Sequence, residues 1–586
     1  MGAVVSAPHR GEVAAVRPWA YAGLLMLSAA CLGGSGTAWA QAAPAPQAAA
    51  PGTSAAELNP NSRVSQPPPR SPPGAFAPEP PGPCPLNASD LKVTLSSVAF
   101  QGVTAVDSSD LSEAYAEFLG REEPVSVICA IRDRAARLLF DRGVLARVEI
   151  PEQRITGGAL TLEVIEAHVV NVRVRGDAGP AQDAIERYAE KLRGMAPFDM
   201  AKAQRYLLLA SDVPGVRVRA AIRPSTSETR GAVDIDLTVA REDPEVFANV
   251  QNTGSRQVGR WGGLIRGVFS GYTPYAESTA LTAFRTLEAN EQWLVQAAET
   301  ARFGGEGFAA RAALTYGESR PGAALKPLGL KSRSLVGNLE ASYPILRTRY
   351  RNLNVAGGLD FIDQKTDVGA IRLSHDELRV AYVRADGDYR TEVAGRPVLA
   401  SGGVSLRKGL SVLGGSEDGD VGLSRAFADP DAWVVRAQAG ADVALAERLT
   451  GMFRAQAQYS SSALLPYEQM ALGGLTIGRG YDPATLLGDK GVSASFELRY
   501  GPLQVHRKLL AAPYVFVDAG RLGNNGAFRS GLIKDRTLAS AGAGVIFRLH
   551  NRANLEVTYA HPMDSAAPGA PTPGDRVLIQ LTASLL

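Results

Sequence analysis

Cysteine is scarce in this chain, with three in 586 residues. That excludes a disulfide-dense scaffold and a cysteine-based zinc module. Histidine is nearly as rare: His9, His168, His375, His506, His550 and His561 are scattered, with none at metal-ligand spacing, so no metal and no cofactor is expected. There is no Gly-x-Ser-x-Gly elbow, no His-Glu-x-x-His pair and no phosphate-cradling glycine loop. Asp and Glu are abundant, but no spacing singles out a catalytic pair, and the chain does not read as an enzyme. Net charge is only +2 with no basic run, which argues against a nucleic-acid surface. No stretch beyond the N-terminus is apolar enough to cross a bilayer as a helix. A mature chain that sits in a membrane must therefore do so as a closed barrel.

The N-terminus reads as a secretory signal over residues 1–40. Arg10 and Arg17 precede an apolar run, and small residues end in Ala38-Trp39-Ala40. One alternative is a membrane anchor, but the run falls short of the roughly 20 residues a span needs. Another is a lipoprotein site at Cys31, where Ser28 replaces the expected large aliphatic residue. Cleavage leaves Cys84 and Cys129 in an oxidising compartment, where an even count reads as one disulfide, with two free thiols as the alternative. Residues 41–83 form an Ala/Pro-rich linker that cannot bury a core.

Two units of similar order follow. The first, over 84–167, predicts a strand at 93–100, helices at 109–119 and 127–142, and strands at 146–150 and 159–165. Ile128, Ile131, Ala135, Leu138 and Leu139 share one helical face, and Gly143 stands at the C-cap. The second, over 168–241, repeats strand, helix, helix, strand, strand, with Asp199 as an N-cap.

From 245 to 586 helical periodicity fades into segments of about ten residues with period-two alternation. Val492, Ala494, Phe496, Leu498 and Tyr500 oppose Ser493, Ser495, Glu497 and Arg499, for example. A soluble sandwich and a membrane barrel both fit one apolar and one wet face. About sixteen such segments, an even number, favour the barrel.

Signal, proline-rich linker, two β-α-α-β-β repeats and a C-terminal β region together resemble the outer-membrane transporters of two-partner secretion. These are the haemolysin secretion/activation proteins, a branch of the Omp85 superfamily. The repeats resemble POTRA domains. In the first, Arg137 to Gly143, then Pro151-Glu152-Gln153, then Gly158 to Glu166 resemble that branch's helix end, turn and strand. Cys84 and Cys129 occupy positions where family members often carry cysteines. Gly478-Arg479-Gly480-Tyr481 resembles the tip of the family's long sixth loop, over about 466–491, which folds into the barrel. Phe516, Asp518 and Gly520 fall in a stretch resembling the motif on the thirteenth strand. The resemblance implies that Arg479 pairs with Asp518 in the lumen. Period-two geometry agrees, because Tyr514, Phe516 and Asp518 share one face and Val515, Val517 and Ala519 the other.

The fold expected is two periplasmic α+β POTRA domains followed by a 16-stranded antiparallel transmembrane barrel. The resemblance implies an outer-membrane pore that exports a large unfolded exoprotein, haemolysin- or adhesin-like, carrying an N-terminal secretion domain. Outer-membrane lipid is the other expected contact, with neither nucleotide nor nucleic acid as partner. The alternative is an Omp85-type factor that inserts other barrels. Many family members carry an N-terminal helix in the pore; residues 41–66 are a poor helix candidate and leave a plug open.

Overall fold

The computed structural model describes residues 54–60, 83–87, 91–227, 229–288, 291–526, 535–549, 552–566 and 569–585. The expected signal peptide and most of the expected linker lie outside these residues.

In the first small unit, strand Ser97–Gln101 runs parallel to Ala159–Glu166, whose other side pairs antiparallel with Ala146–Glu149. The Val127–Asp141 helix buries Ile128, Ile131, Ala135 and Leu139 against this sheet. It closes in a Schellman arrangement, Val144 N donating to Leu139 O and Gly143 N to Phe140 O. Two expectations need correction. The helix expected at 109–119 is a pair of 3-10 stretches, Ser108–Ala114 and Ala116–Phe118. Asp107 makes no side-chain cap there, and the stretch keeps the tighter i→i+3 pattern, Asp110 N donating to Asp107 O and Tyr115 N to Ser112 O. The strand expected at 93–100 is broken at Ser96, whose amide and hydroxyl turn to the carbonyls of Gly158 and Gly157. Its first part, Lys92–Thr94, pairs with Glu122–Pro124. Cys84 and Cys129 are joined by a disulfide with their Cα atoms 5.7 Å apart.

In the second unit His168–Asp177 runs parallel to Ala232–Arg241, which pairs antiparallel with Val216–Pro224. Helices Gln182–Glu190 and Met200–Ser211 cover one face of that sheet around Ile185, Tyr188, Ile235 and Leu237. Asp199 caps the second helix, accepting from Ala201 N at 2.9 Å and Lys202 N at 3.0 Å. Arg230 ties the two units together through Glu149 and Glu163, each at 2.6 Å. The helices then dock on the turns at one end of the barrel. Arg347 makes two 2.7 Å bonds to Asp212, and Lys191 lies 2.8 Å from Glu306.

The barrel strands are β1 (Glu245–Gln251), β2 (Gly262–Ser270), β3 (Ser278–Thr286), β4 (Gln292–Phe303), β5 (Phe308–Ser319), β6 (Leu330–Arg347), β7 (Arg351–Val368) and β8 (Ile371–Val393). They continue as β9 (Arg396–Gly409), β10 (Trp433–Ala446), β11 (Leu449–Tyr459), β12 (Lys490–Tyr500), β13 (Leu509–Gly523), β14 (Asp535–Leu549), β15 (Ala553–Pro562) and β16 (Arg576–Ser584). Each pairs antiparallel with the next. β16 returns to β1, Gln580 opposite Gln251 and Ser584 opposite Phe247, so the ladder closes without an edge.

The alternation decides which face is which. On β13 Val515 and Val517 are 54% and 45% exposed on the outer wall, whereas Asp518 is 0% exposed inside. Leu314, Leu339, Val383, Val492 and Phe496 continue the apolar exterior. Tyr272, Tyr275, Phe303, Phe308, Tyr350, Tyr389 and Tyr500 are exposed at the end that adjoins the small units, and Trp433, Tyr459 and Tyr559 at the other. An apolar band between two aromatic girdles is the exterior a barrel presents to lipid. Among the described residues no helix is long and apolar enough to cross a membrane; the strands do so.

Two elements enter the lumen. One is the loop between β11 and β12. The other is a single-turn helix, Ala55–Leu58, where the sequence reading saw only linker. Ser54 caps it: the hydroxyl accepts from Glu57 N while the Glu57 carboxylate accepts from the Ser54 hydroxyl and amide. This is a Ser-x-x-Glu capping box, a local signal that the surrounding Ala/Pro composition hides. Leu58 lies over Gly317, with Cδ2 3.2 Å from where a Cβ would stand. Arg311, Asn338, Asp360, Tyr382 and Arg384 line the space around the helix.

Candidate functional site

The loop runs from the end of β11 at Tyr459 to the start of β12 at Lys490, slightly earlier than the expected 466–491. Inside the barrel it makes its own small hairpin, Met470–Leu472 against Leu486–Gly488. Met470, Leu472, Ile477, Tyr481 and Leu486 bury against Leu522 of β13 and Leu538 of β14. Gly520 makes this seat possible, because a Cβ there would lie 2.6 Å from Leu472 Cδ1.

At the tip Gly478 adopts φ +86°, a left-handed turn open to glycine, and it aims successive amides at the wall. Gly478 N and Arg479 N donate to Asp518 Oδ2 at 3.1 and 3.0 Å. The Arg479 guanidinium donates to Asp518 Oδ2 from Nε at 3.1 Å and to Oδ1 from Nη2 at 2.9 Å. Nη1 reaches Glu497 Oε2 at 2.8 Å and Nη2 the Ser495 hydroxyl at 3.0 Å. The guanidinium carbon stacks 3.5 Å above the Phe516 ring centroid. Gly480 N donates to Ser540 Oγ at 3.2 Å, and the Tyr481 hydroxyl lies 2.9 Å from the carbonyls of Ala539 and Asp564. Every residue singled out in the two sequence motifs thus converges on one patch of wall formed by β12, β13 and β14. Cys84 and Cys129 stand apart from it, in the first small unit.

Sequence reasoning missed several anchors. Ser495 and Glu497 lie on the polar face of β12, so their inward direction was legible but their partner was not. Asp482 receives Arg576 Nη2 at 3.3 Å and Arg260 Nη1 at 3.6 Å. Higher on the loop, Glu468 is held by Arg407 of β9 at 2.8 Å and Arg436 of β10 at 2.9 Å, and Arg407 also reaches Asp360 of β7 at 2.7 Å. At the return, Asp489 accepts from Arg425 Nη2 at 2.9 Å, a residue of the preceding long loop. No spacing in the sequence signals these pairs, because each joins separate elements. The arrangement is one of electrostatic fastening: the carboxylates outnumber the guanidinium at the tip, and each is met by hydrogen bonds.

A closed sixteen-stranded barrel with an apolar exterior, a polar lumen and POTRA-type units at one end defines an outer-membrane transporter whose POTRA units lie in the periplasm. The haemolysin secretion/activation family ShlB/FhaC/HecB matches residues 231–547, more than half of the chain, and a ShlB-type POTRA domain matches residues 93–167. The chain belongs to that family and is a transporter of two-partner secretion, with a large exoprotein as its partner. Two solved structures share its fold. CdiB from Escherichia coli is 17% identical over 88% of this chain and 94% of that chain, with a TM-score of 0.71. CdiB from Acinetobacter baumannii is 15% identical over 88% and 94%, with a TM-score of 0.62. None of the curated proteins matches the chain.

Proposed function

We propose that export depends on the loop tip, Gly478, Arg479, Gly480 and Tyr481, seated on Phe516, Asp518 and Gly520. The carrying observation is the convergence of the Arg479 guanidinium and two loop amides on Asp518, a carboxylate with no solvent exposure. A fixed loop leaves a defined passage beside it, on the side of the lumen where Ala55–Leu58 now sits. The client is an unfolded haemolysin- or adhesin-like exoprotein that presents an N-terminal secretion domain to the periplasmic units. Their outer sheet strands, Ser97–Gln101 among them, offer edges for strand addition. Displacement of the short helix opens the passage. No catalysis and no nucleotide is required, since folding of the client outside supplies direction.

The experiment is deletion of the chain in its own host. Loss of the exoprotein from the medium, with other outer-membrane barrels at normal levels and export restored by the plasmid-borne chain, supports the reading. A fall in other barrels with exoprotein release intact overturns it in favour of an assembly factor.

A further inference from the structure

We propose that Asp363, His375 and Glu377 form a binding site for one divalent transition cation, zinc by its donor chemistry, on the outer face of the β7–β8 hairpin. Val380 of β8 pairs with Gly409, the last residue of β9, so β8 residues 371–379 run on past the barrel rim. This rim is on the side away from the POTRA units. The β7–β8 register sets Asp363 directly opposite Glu377 and Lys365 opposite His375. Ile362 and Leu378 point the other way into a buried cluster, which puts the three donors together on the outer face.

The spacing suits a small ion. His375 Nε2 lies 3.2 Å from Asp363 Oδ1 and 3.8 Å from Glu377 Oε2, and the three donor atoms all fall within 4.8 Å of one another. A tetrahedral ion with bonds of about 2.0–2.2 Å holds its ligand atoms roughly 3.3–3.6 Å apart. Small side-chain rotations therefore bring all three onto one metal. Two carboxylates neutralise a dication and a neutral imidazole supplies the nitrogen that zinc favours over calcium or magnesium. The side chains are 30–34% exposed, which leaves a fourth position for water. The ladder is unbroken from Arg351–Tyr389 through Thr366–Ser374, with a bulge only beyond the site, so the donors are preorganised. Among the described residues this is the single group of three such donors that meets. Linear spacing could not reveal it, because Asp363 and His375 lie on different strands.

Two cations already face the cluster. Lys365 Nζ stands 3.1 Å from the Asp363 carboxylate, and Arg379 Nη2 stands 3.9 Å from Glu377 Oε1. Arg379 is fixed by bonds to the carbonyls of Ile362, Leu378 and Leu413 at 3.2, 2.9 and 3.1 Å. Lys365 is the flexible competitor that a metal must displace.

The test uses the full chain in detergent, stripped with a chelator and dialysed against zinc chloride near neutral pH. One zinc per chain is expected. His375→Ala and Asp363→Asn should each weaken binding by at least about tenfold, and Lys365→Met should tighten it several-fold. X-ray absorption should report an oxygen/nitrogen shell that loses its imidazole signature in His375→Ala. All of these positions lie at the surface, and heat-modifiable migration on gels confirms that each variant keeps its barrel. Absence of stoichiometric zinc, binding unchanged in His375→Ala, or no tightening in Lys365→Met each overturns the proposal.

Discussion

Arg479→Ala removes the one cation at the loop tip. Glu497 keeps a partner, since Arg499 Nε donates to it at 3.1 Å. Asp518 does not: it is 0% exposed, and its remaining contacts are the amides of residues 478 and 479, at 3.1 and 3.0 Å. Removing one member of a buried ion pair costs about 3–5 kcal/mol. The two amide bonds are made in both forms and keep Asp518 from standing wholly unpaired, which puts the loss at or just below the low end of that range, about 2–3 kcal/mol. The ratio of seated to released loop then falls roughly 30- to 150-fold. The barrel ladders make no use of Arg479, so insertion should persist. The assay is exoprotein in the medium per unit of heat-modifiable barrel, with protease nicking between 470 and 486 as the readout of loop release. Export per barrel should drop while barrel level holds. Arg479→Lys should fall between, because an ammonium can reach Asp518 but not Glu497 and Ser495 in the same fork. Wild-type export alongside a nicked, released loop would refute the functional role. A barrel level that falls in step with export would reduce the pair to a structural staple.

Gly520→Val should reproduce the export defect without touching a charge. The Leu472 methyls stand 2.6 and 2.8 Å from the Cβ position and Ser493 Cβ stands 2.9 Å from it, so a branched side chain must push the hairpin off the wall at about 1–3 kcal/mol; export per barrel and loop nicking measure it. Docking of the second POTRA unit should weaken in acid. Burial pushes the Glu306 carboxyl up, but hydrogen bonds from Lys191 and Tyr206 outweigh it and hold the group below its ordinary value of 4.5. A carboxylate depressed by folding stabilises the docked form above that value, and the contribution is lost as pH falls through the lower folded one. Protection of the amides of residues 182–190, taken relative to the intrinsic exchange rate at each pH, should therefore fall below pH 4.5, and Lys191→Ala should flatten the dependence; an unchanged profile in that variant would sink the assignment.

The barrel was legible because about sixteen alternating segments suit a closed ladder, and with lipid outside that ladder the alternation has one reading. Once Val515 and Val517 face hydrocarbon, Asp518 has to face in, and a slip of one residue would invert every strand. The tip and its wall partner were legible for a different reason: they resemble two stretches of one family, and that resemblance pairs their arginine and aspartate. What the chain hid falls into two kinds. Ser54 and Glu57 form a local signal, but it stands in a segment whose composition argues for linker. Glu468 with Arg407 and Asp489 with Arg425 are 61 and 64 residues apart, and only the closed barrel brings them together. The 108–118 stretch shows the reverse failure, a helical pattern whose first turn no side chain caps.

These hidden pairs explain how so long a loop keeps one position inside a wet lumen. The hairpin's apolar contacts gather around Leu522 and Leu538, while Leu464 and Leu465 at the loop's start bury in two further clusters, and hydrophobic contact alone is non-directional. A hairpin resting on that patch could slide or pivot. Four charged anchors at separate points remove those freedoms: Glu468 on β9 and β10, Arg479 on β12 and β13, Asp482 on Arg260 and on Arg576 of β16, and Asp489 through Arg425 to the neighbouring loop. Each demands its own geometry, because a misplaced buried charge costs more than a misplaced methyl. Ion pairs of this sort add little net stability over well-packed apolar residues, so their value in this lumen lies in register. The loop is located by charge and cushioned by the small apolar seat. On the proposed reading of export, the wall around Ala55–Leu58 is thereby left as the part of the lumen whose occupant exchanges.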